Sequence, residues 1–159
     1  MAVNYNDLSI KGLVESAKAI YGDSPMAALA ATQAILESGL YKGKPSNLAA
    51  KAYNLFGIKG KGNNGYITLP TTEHVGNRNL RVNANFAKYS DYKSSFQAHK
   101  NLMSKSRYAN VWNAQDPYEA FRYVKDAGYA TDRKYPELLS GVYDKYVAQY
   151  FQPQQQVDE

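Results

Sequence analysis

Glu37 is the residue whose position asks for chemistry. It ends a nearly charge-free run, Ser24-Pro25-Met26-Ala27-Ala28-Leu29-Ala30-Ala31-Thr32-Gln33-Ala34-Ile35-Leu36-Glu37, and Ser38-Gly39 follows it. A charge beside so much apolar surface needs a partner or a neutral form. A helix C-terminus presents negative partial charge, and burial disfavours the carboxylate, so both effects raise its pKa. A carboxyl held protonated near neutral pH is what a general acid requires. From position alone, a glutamate paired with Lys or Arg, or one solvated where the helix emerges, reads equally well. A proton donor is most useful against a poor alkoxide leaving group. Glycoside cleavage is such a reaction, and it usually takes a second carboxylate. Glu73, Asp91 and Asp132 are the candidates at loops and element ends. Glu73 competes with its own reading as a solvated edge-strand residue, and Asp132 reads first as a helix cap.

Other chemistries have less support. The chain has no Cys, which excludes disulfides, thiol nucleophiles and thiolate metal sites. His74 and His99 lack metal-ligand spacing, so no metal and no cofactor is expected. No Gly-x-Ser-x-Gly elbow is present. The glycines between Gly57 and Gly65 have no strand before them, no helix after them and no Gly-Lys-Ser/Thr ending, so they do not read as a phosphate cradle. The net charge of +5 favours an anionic partner such as an acidic wall polymer. The basic residues are scattered and match no nucleic-acid motif, so no nucleic-acid partner is expected. No apolar run approaches the ~20 residues of a membrane span, so no membrane insertion is expected. Met1 to Asp7 lacks the pattern of a signal peptide, which reads as no export address or as a piece of a longer protein. The 15 tyrosines read mostly as half-buried packing, with some left for a groove where an apolar face meets a polar tip.

The elements that must position these residues are mainly helical, an α+β arrangement. Asp7 is expected to cap a first helix running to Tyr21, and Gly22 to stop it. Ser24, Pro25 and Gly39 bracket a buried central helix as cap, first residue and left-handed stop. Ser46 caps a short helix from Asn47 to Ala52. A β-hairpin follows, with strands Tyr66–Val75 and Leu80–Phe86 around the turn Gly76-Asn77-Arg78-Asn79. Pro70 argues for an edge strand, and the hairpin should form a small mobile lobe beside a cleft. Helices then return: one carrying Phe96, Leu102 and Met103, a short one from Arg107 to Asn113, and one from the Asp116-Pro117-Tyr118-Glu119 capping box to Ala127. Thr131 or Asp132 should cap a last helix. Residues 1–151 read as one domain, and the polar 152–159 stretch as a tail or the start of a linker.

The ordered set Ala34-Ile35-Leu36-Glu37-Ser38-Gly39, Tyr53-Asn54-Leu55-Phe56-Gly57-Ile58-Lys59-Gly60, Pro70-Thr71-Thr72-Glu73, Phe86-Ala87-Lys88-Tyr89, Arg107-Tyr108 and Ala127-Gly128-Tyr129-Ala130-Thr131-Asp132 resembles the glucosaminidase domain of glycoside hydrolase family 73. That family occurs in autolysins, flagellar peptidoglycan hydrolases and phage lysins. The resemblance implies a lysozyme-like helical domain with a small β-lobe beside the active-site groove. It implies hydrolysis of the β-1,4 bond after N-acetylglucosamine in bacterial peptidoglycan, by a monomer acting at the cell wall, extracellular or phage-delivered. By the same resemblance Glu37 is the general acid, Glu73 the second carboxylate on the lobe, and Tyr129 the active-site tyrosine. Tyr53, Asn54, Phe56, Gly57 and Asp132 would contact substrate. Leu40-Tyr41 depart from the family's frequent Trp-Gly, and Ala87 from its Arg. A lytic transglycosylase or muramidase on the same scaffold is the nearest alternative, and a non-catalytic wall-binding module the next.

Overall fold

Five alanines with no exposed surface, Ala27, Ala28, Ala30, Ala31 and Ala34, make the central helix a slim rod that neighbours can approach closely. The computed structural model describes residues 3–151. In it α2 (Pro25–Ser38) starts on Ser24, whose hydroxyl accepts from the Ala27 N–H, and stops at Gly39 in the left-handed region. Around it pack α1 (Ile10–Tyr21), α5 (Pro117–Asp126) and α6 (Tyr135–Val142), with α4 (Tyr92–Met103) lying against α1. Leu13, Leu29, Ile35, Phe96, Phe121 and Leu139 fill the shared core, each fully buried.

Three boundaries differ from expectation. Ser9, not Asp7, caps α1. Its hydroxyl accepts from the Gly12 N–H at 3.0 Å and donates to Asp7 at 3.0 Å, so Asp7 supports the cap from one step away. The last helix begins at Tyr135 rather than after Thr131 or Asp132. Asp132 instead folds a local turn, accepting from the Lys134 N–H at 2.8 Å through its side chain and from the Tyr135 N–H at 3.0 Å through its carbonyl. The hairpin loop is two residues, not four: Arg78 and Asn79 already pair with Val75 and His74. Gly76 at φ 62° supplies the positive dihedral that so tight a reversal needs.

The hairpin, β1 (Tyr66–Val75) and β2 (Arg78–Ala87), is a two-stranded antiparallel sheet. Ile67, Leu69, Thr71 and Glu73 share one face with their cross-strand partners Phe86, Ala84, Val82 and Leu80. Its foot is tied to the preceding loop, where the Ala87 N–H donates to Ile58 O and the Gly60 N–H to Asn85 O, each at 2.9 Å. Short α3 (Asn47–Ala52), capped by Ser46 as expected, leads into that loop. Segment Ser106–Asn113 is a 3₁₀ stretch, and α6 continues through a π-helical turn to Val147. Among the described residues no helix is long and apolar enough to cross a membrane. The expected polar tail lies outside the described residues.

Candidate active site

The Glu-Ser-Gly motif folds the chain back on itself at the end of α2. Buried Ser38 accepts from the Leu40 N–H at 3.2 Å, and its carbonyl accepts from the Ser46 N–H at 2.8 Å. Gly39 holds φ 81°, and a Cβ there would sit 2.6 Å from the Lys44 carbonyl oxygen. Any larger residue meets both strain and a clash with backbone. Gly39→Ala is therefore expected to cost about 2 kcal/mol or more. Thermal denaturation checks this, and an unchanged melting temperature would refute the crowding argument.

That turn leaves Glu37 at the wall of a cleft of about 420 Å³, lined by Ser46, Leu48, Asn54, Leu55, Phe56 and Gly57. Water reaches the residue, yet protein surrounds its carboxyl on most sides, and this desolvation pushes it up from 4.5 to about 8. The negative end of α2 acts in the same direction. Hydrogen bonds from two phenols oppose the rise. Tyr129 Oη lies 3.4 Å from both carboxyl oxygens, and Tyr135 Oη lies 3.5 Å from Oε2. These bonds are long, and a bound ligand that closes the cleft would tighten them. Burial and the Glu37 charge raise both phenols, so they stay neutral and remain donors.

Tyr129 is placed by the way α5 ends. The Tyr129 N–H bonds to Val124 O at 3.1 Å and the Gly128 N–H to Lys125 O at 2.9 Å, around Gly128 at φ 90°. This is the Schellman closure, with a left-handed residue at the stop, and it fixes where the chain carries Tyr129. Arg107 clamps the turn by donating to Ala127 O at 3.0 Å and Gly128 O at 3.2 Å. The ring of Tyr129 then stacks on Tyr135, with centroids 5.9 Å apart and planes 20° apart.

The other expected site residues divide. Phe56 and Gly57 line the cleft. Asn54 does too, but its amide is fully engaged: it donates to Ile58 O and Ala87 O, each at 2.8 Å, and accepts from the Phe56 and Ile58 N–H groups at 3.3 and 3.2 Å. Its work is to knit the cleft floor to the hairpin foot. Tyr53 packs on Tyr92, ring centroids 4.8 Å apart, and is not among the cleft-lining residues. Its φ of 54° ends α3 in the left-handed region and turns the chain towards Asn54. Asp132 shapes the entry to α6 and so sets Tyr135. Glu73 stands on the hairpin with Lys59 Nζ 2.8 Å away, and its described bond is to that lysine rather than to Glu37. Nothing local in the sequence marks Tyr135. Its spacing of six residues from Tyr129 across a glycine-stopped turn carries no periodic signal. Among the described residues no cluster of His, Cys, Asp and Glu could hold a metal ion.

A carboxyl that is neutral near pH 7, opens into a cleft and is flanked by neutral phenols can give up a proton and then hold the resulting charge. Comparison with known proteins points the same way. A family model described as "Glucosaminidase: Mannosyl-glycoprotein endo-beta-N-acetylglucosaminidase" matches residues 13–148. The Exo-glucosaminidase LytG of Bacillus subtilis is 37% identical over 120 residues, which is 72% of this chain and 42% of that protein. Peptidoglycan hydrolase FlgJ of Escherichia coli strain K12 is 36% identical over 120 residues, 69% of this chain and 36% of its own length. This chain thus spans well under two thirds of those relatives. Among solved structures, the catalytic domain of the autolysin Auto from Listeria monocytogenes superposes with a TM-score of 0.79 at 28% identity, covering 94% of this chain and 89% of that one. A C-terminally truncated glycoside hydrolase domain of Salmonella typhimurium FlgJ gives 0.65 at 29%, covering 86% of this chain and 93% of that one.

Proposed function

The chain belongs to the glucosaminidase family, glycoside hydrolase family 73, and from that footing we propose that it is a peptidoglycan hydrolase. It is an endo-β-N-acetylglucosaminidase that cleaves the β-1,4 bond between N-acetylglucosamine and N-acetylmuramic acid. The observation that carries the reading is the Glu37 carboxyl, raised to about 8 at the wall of an open cleft under two phenols. Glu37 protonates the glycosidic oxygen as the bond breaks. Its new carboxylate then accepts from Tyr129 and Tyr135, which lowers the cost of giving the proton away. Water expelled by the sugar strengthens each of these interactions.

Glu73 is the second carboxylate. Its ion pair with Lys59 is half exposed, and such pairs are worth about 1 kcal/mol or less. The hairpin can therefore exchange that lysine for a sugar at little cost, moving as a small lobe on the foot held by Asn54. There Glu73 activates water or steadies the oxocarbenium-like state. A gap of ~5 Å between the carboxyls would favour retention and ~6.5–9.5 Å inversion, while the substrate's 2-acetamido group offers a third route. Glu73→Gln discriminates. A loss of about tenfold points to acetamido assistance, whereas a loss near 1,000-fold makes Glu73 the direct base or nucleophile.

The protein acts as a monomer at the bacterial wall, outside the cell or delivered by phage, with residues 1–151 as its catalytic domain. The reaction as written needs no cofactor, and neither nucleic acid nor membrane insertion enters it. Turbidity of purified cell walls tests the activity. The native protein should clear them, releasing glycan fragments of mixed length early and disaccharides at the limit, with a rate that falls on the alkaline side near pH 8 as Glu37 loses its proton. Intact turbidity at every pH would sink the reading, and disaccharides released from chain ends from the first time points, with no fragments of intermediate length, would replace endo by exo action.

A further inference from the structure

Tyr135 is tied to a buried polar chain that the hydrolysis does not itself use. Gln33 Nε2 donates to Tyr135 Oη at 3.0 Å. His99 Nε2 lies 2.7 Å from Gln33 Oε1, and Tyr21 Oη lies 2.8 Å from His99 Nδ1. Gln33 and His99 have no exposed surface. The four residues come from α2, α6, α4 and α1, and Gln33 stands one helical turn before Glu37, on the same side of α2.

With the Gln33 amide oriented as it is, Nε2 to Tyr135 and Oε1 to His99, this chain has one sense. An amide nitrogen only donates and an amide oxygen only accepts. With Nε2 on Tyr135, Oε1 faces His99, so His99 Nε2 carries the hydrogen. Burial pushes His99 down to about 3, which keeps the imidazole neutral. A neutral ring protonated at Nε2 has Nδ1 as its acceptor, so Tyr21 donates to it. The oxygen of Tyr135 already accepts from Gln33, and its own hydrogen is directed at Glu37 Oε2. Every hydrogen therefore points towards Glu37. Were the Gln33 amide turned over, the chain would run backwards. Tyr135 would then give its hydrogen to Gln33 and offer Glu37 only a lone pair.

We propose that Gln33 and His99 are positioning residues: through this one-way chain they commit the Tyr135 hydroxyl as a donor to Glu37 and so set how readily Glu37 releases its proton. The proposal rests on Glu37 as the general acid, but its test does not depend on activity. The groups facing Glu37 are Tyr129 from the α5–α6 connection and Tyr135 from α6. Those facing His99 are Tyr21, Gln33 and the Phe56 ring, whose centroid lies 4.5 Å from that of the imidazole. Beyond them, Lys100 Nζ sits 6.0 Å over the Tyr21 ring.

The experiment is the ¹³C titration of the Glu37 carboxyl, assigned by its absence in Glu37→Gln, in the native protein, Gln33→Met, Tyr135→Phe and the double variant. Tyr135→Phe removes the donor and Gln33→Met removes the bond that polarises and orients it, so the midpoint should move up by about half a pH unit in the first, roughly threefold in acidity, and by a smaller amount in the second. The double variant should match Tyr135→Phe alone, because Gln33 acts only through that hydroxyl. An unmoved midpoint in Gln33→Met, or additive shifts, would overturn the proposal, since a purely structural glutamine lowers the melting temperature and leaves the midpoint in place. If Gln33→Met does not fold, ¹⁵N spectra of the native imidazole decide. A neutral Nε2–H ring at pH 5 is expected, and an Nδ1–H ring reverses the chain and refutes it. The alkaline limb of wall lysis should follow the midpoint. A midpoint that moves while the limb stays would count against Glu37 as the acid and leave the chain standing.

Discussion

Glu37→Gln should reduce cell-wall lysis about 1,000-fold, within the range a positioned general acid supplies. The substitution keeps the size and hydrogen-bonding reach of the side chain, so the cleft and both phenols stay in place. What it removes is the transferable proton. Stability should move the other way. The folded protein holds the Glu37 proton up to about 8, against 4.5 for the ordinary group. Stability from this group is fully present below the lower value and is lost as pH rises through the higher one. Glutamine carries no such dependence. The variant's melting temperature relative to the native protein should therefore increase between pH 5 and pH 8 and level off above that. An inactive variant that melts far below the native protein at pH 5 would mean a structural glutamate instead. Retained lysis would remove Glu37 from the chemistry.

Tyr129→Phe should lower the lysis rate by about 10- to 100-fold. A single preorganised donor can be worth more than that, but its resting bonds here are 3.4 Å long, and Tyr135 remains as a second donor. The signature is the direction of the pH effect. Tyr129 stabilises the carboxylate, so its removal raises the Glu37 pKa and shifts the alkaline limb upward. The enzyme should then be slower at pH 7 yet keep its activity further into base. Rates measured from pH 5 to pH 10 check this. A slower enzyme with an unmoved limb would make Tyr129 a contact for the sugar rather than a partner of the acid.

The features legible in the sequence are those written over a few neighbouring residues. Ser24, Pro25 and Gly39 announce both ends of α2 because caps are local, and the same logic carries Ser46 and Gly128. The position of Glu37 at the end of an apolar helix follows from that. Asn54 lines the cleft as expected, but its bonds are not legible, because only the folded path brings four backbone groups to its amide. The pairing of Glu73 with Lys59 depends on how the loop runs under the hairpin foot. Least legible is the chain behind Tyr135. Gln33 meets Tyr135 across 102 residues and His99 across 66, so no local pattern links them. Gln33 did leave one trace, as a polar residue in the apolar run, four positions before Glu37.

The most direct measurement is the identity of the new ends in digested peptidoglycan. Purified walls are treated with the native protein and with Glu37→Gln, then reduced and analysed by mass spectrometry. Reducing N-acetylglucosamine ends from the native protein, and almost none from the variant, are predicted. Reducing or anhydro N-acetylmuramic acid ends, or the same N-acetylglucosamine ends from both proteins, would contradict the account.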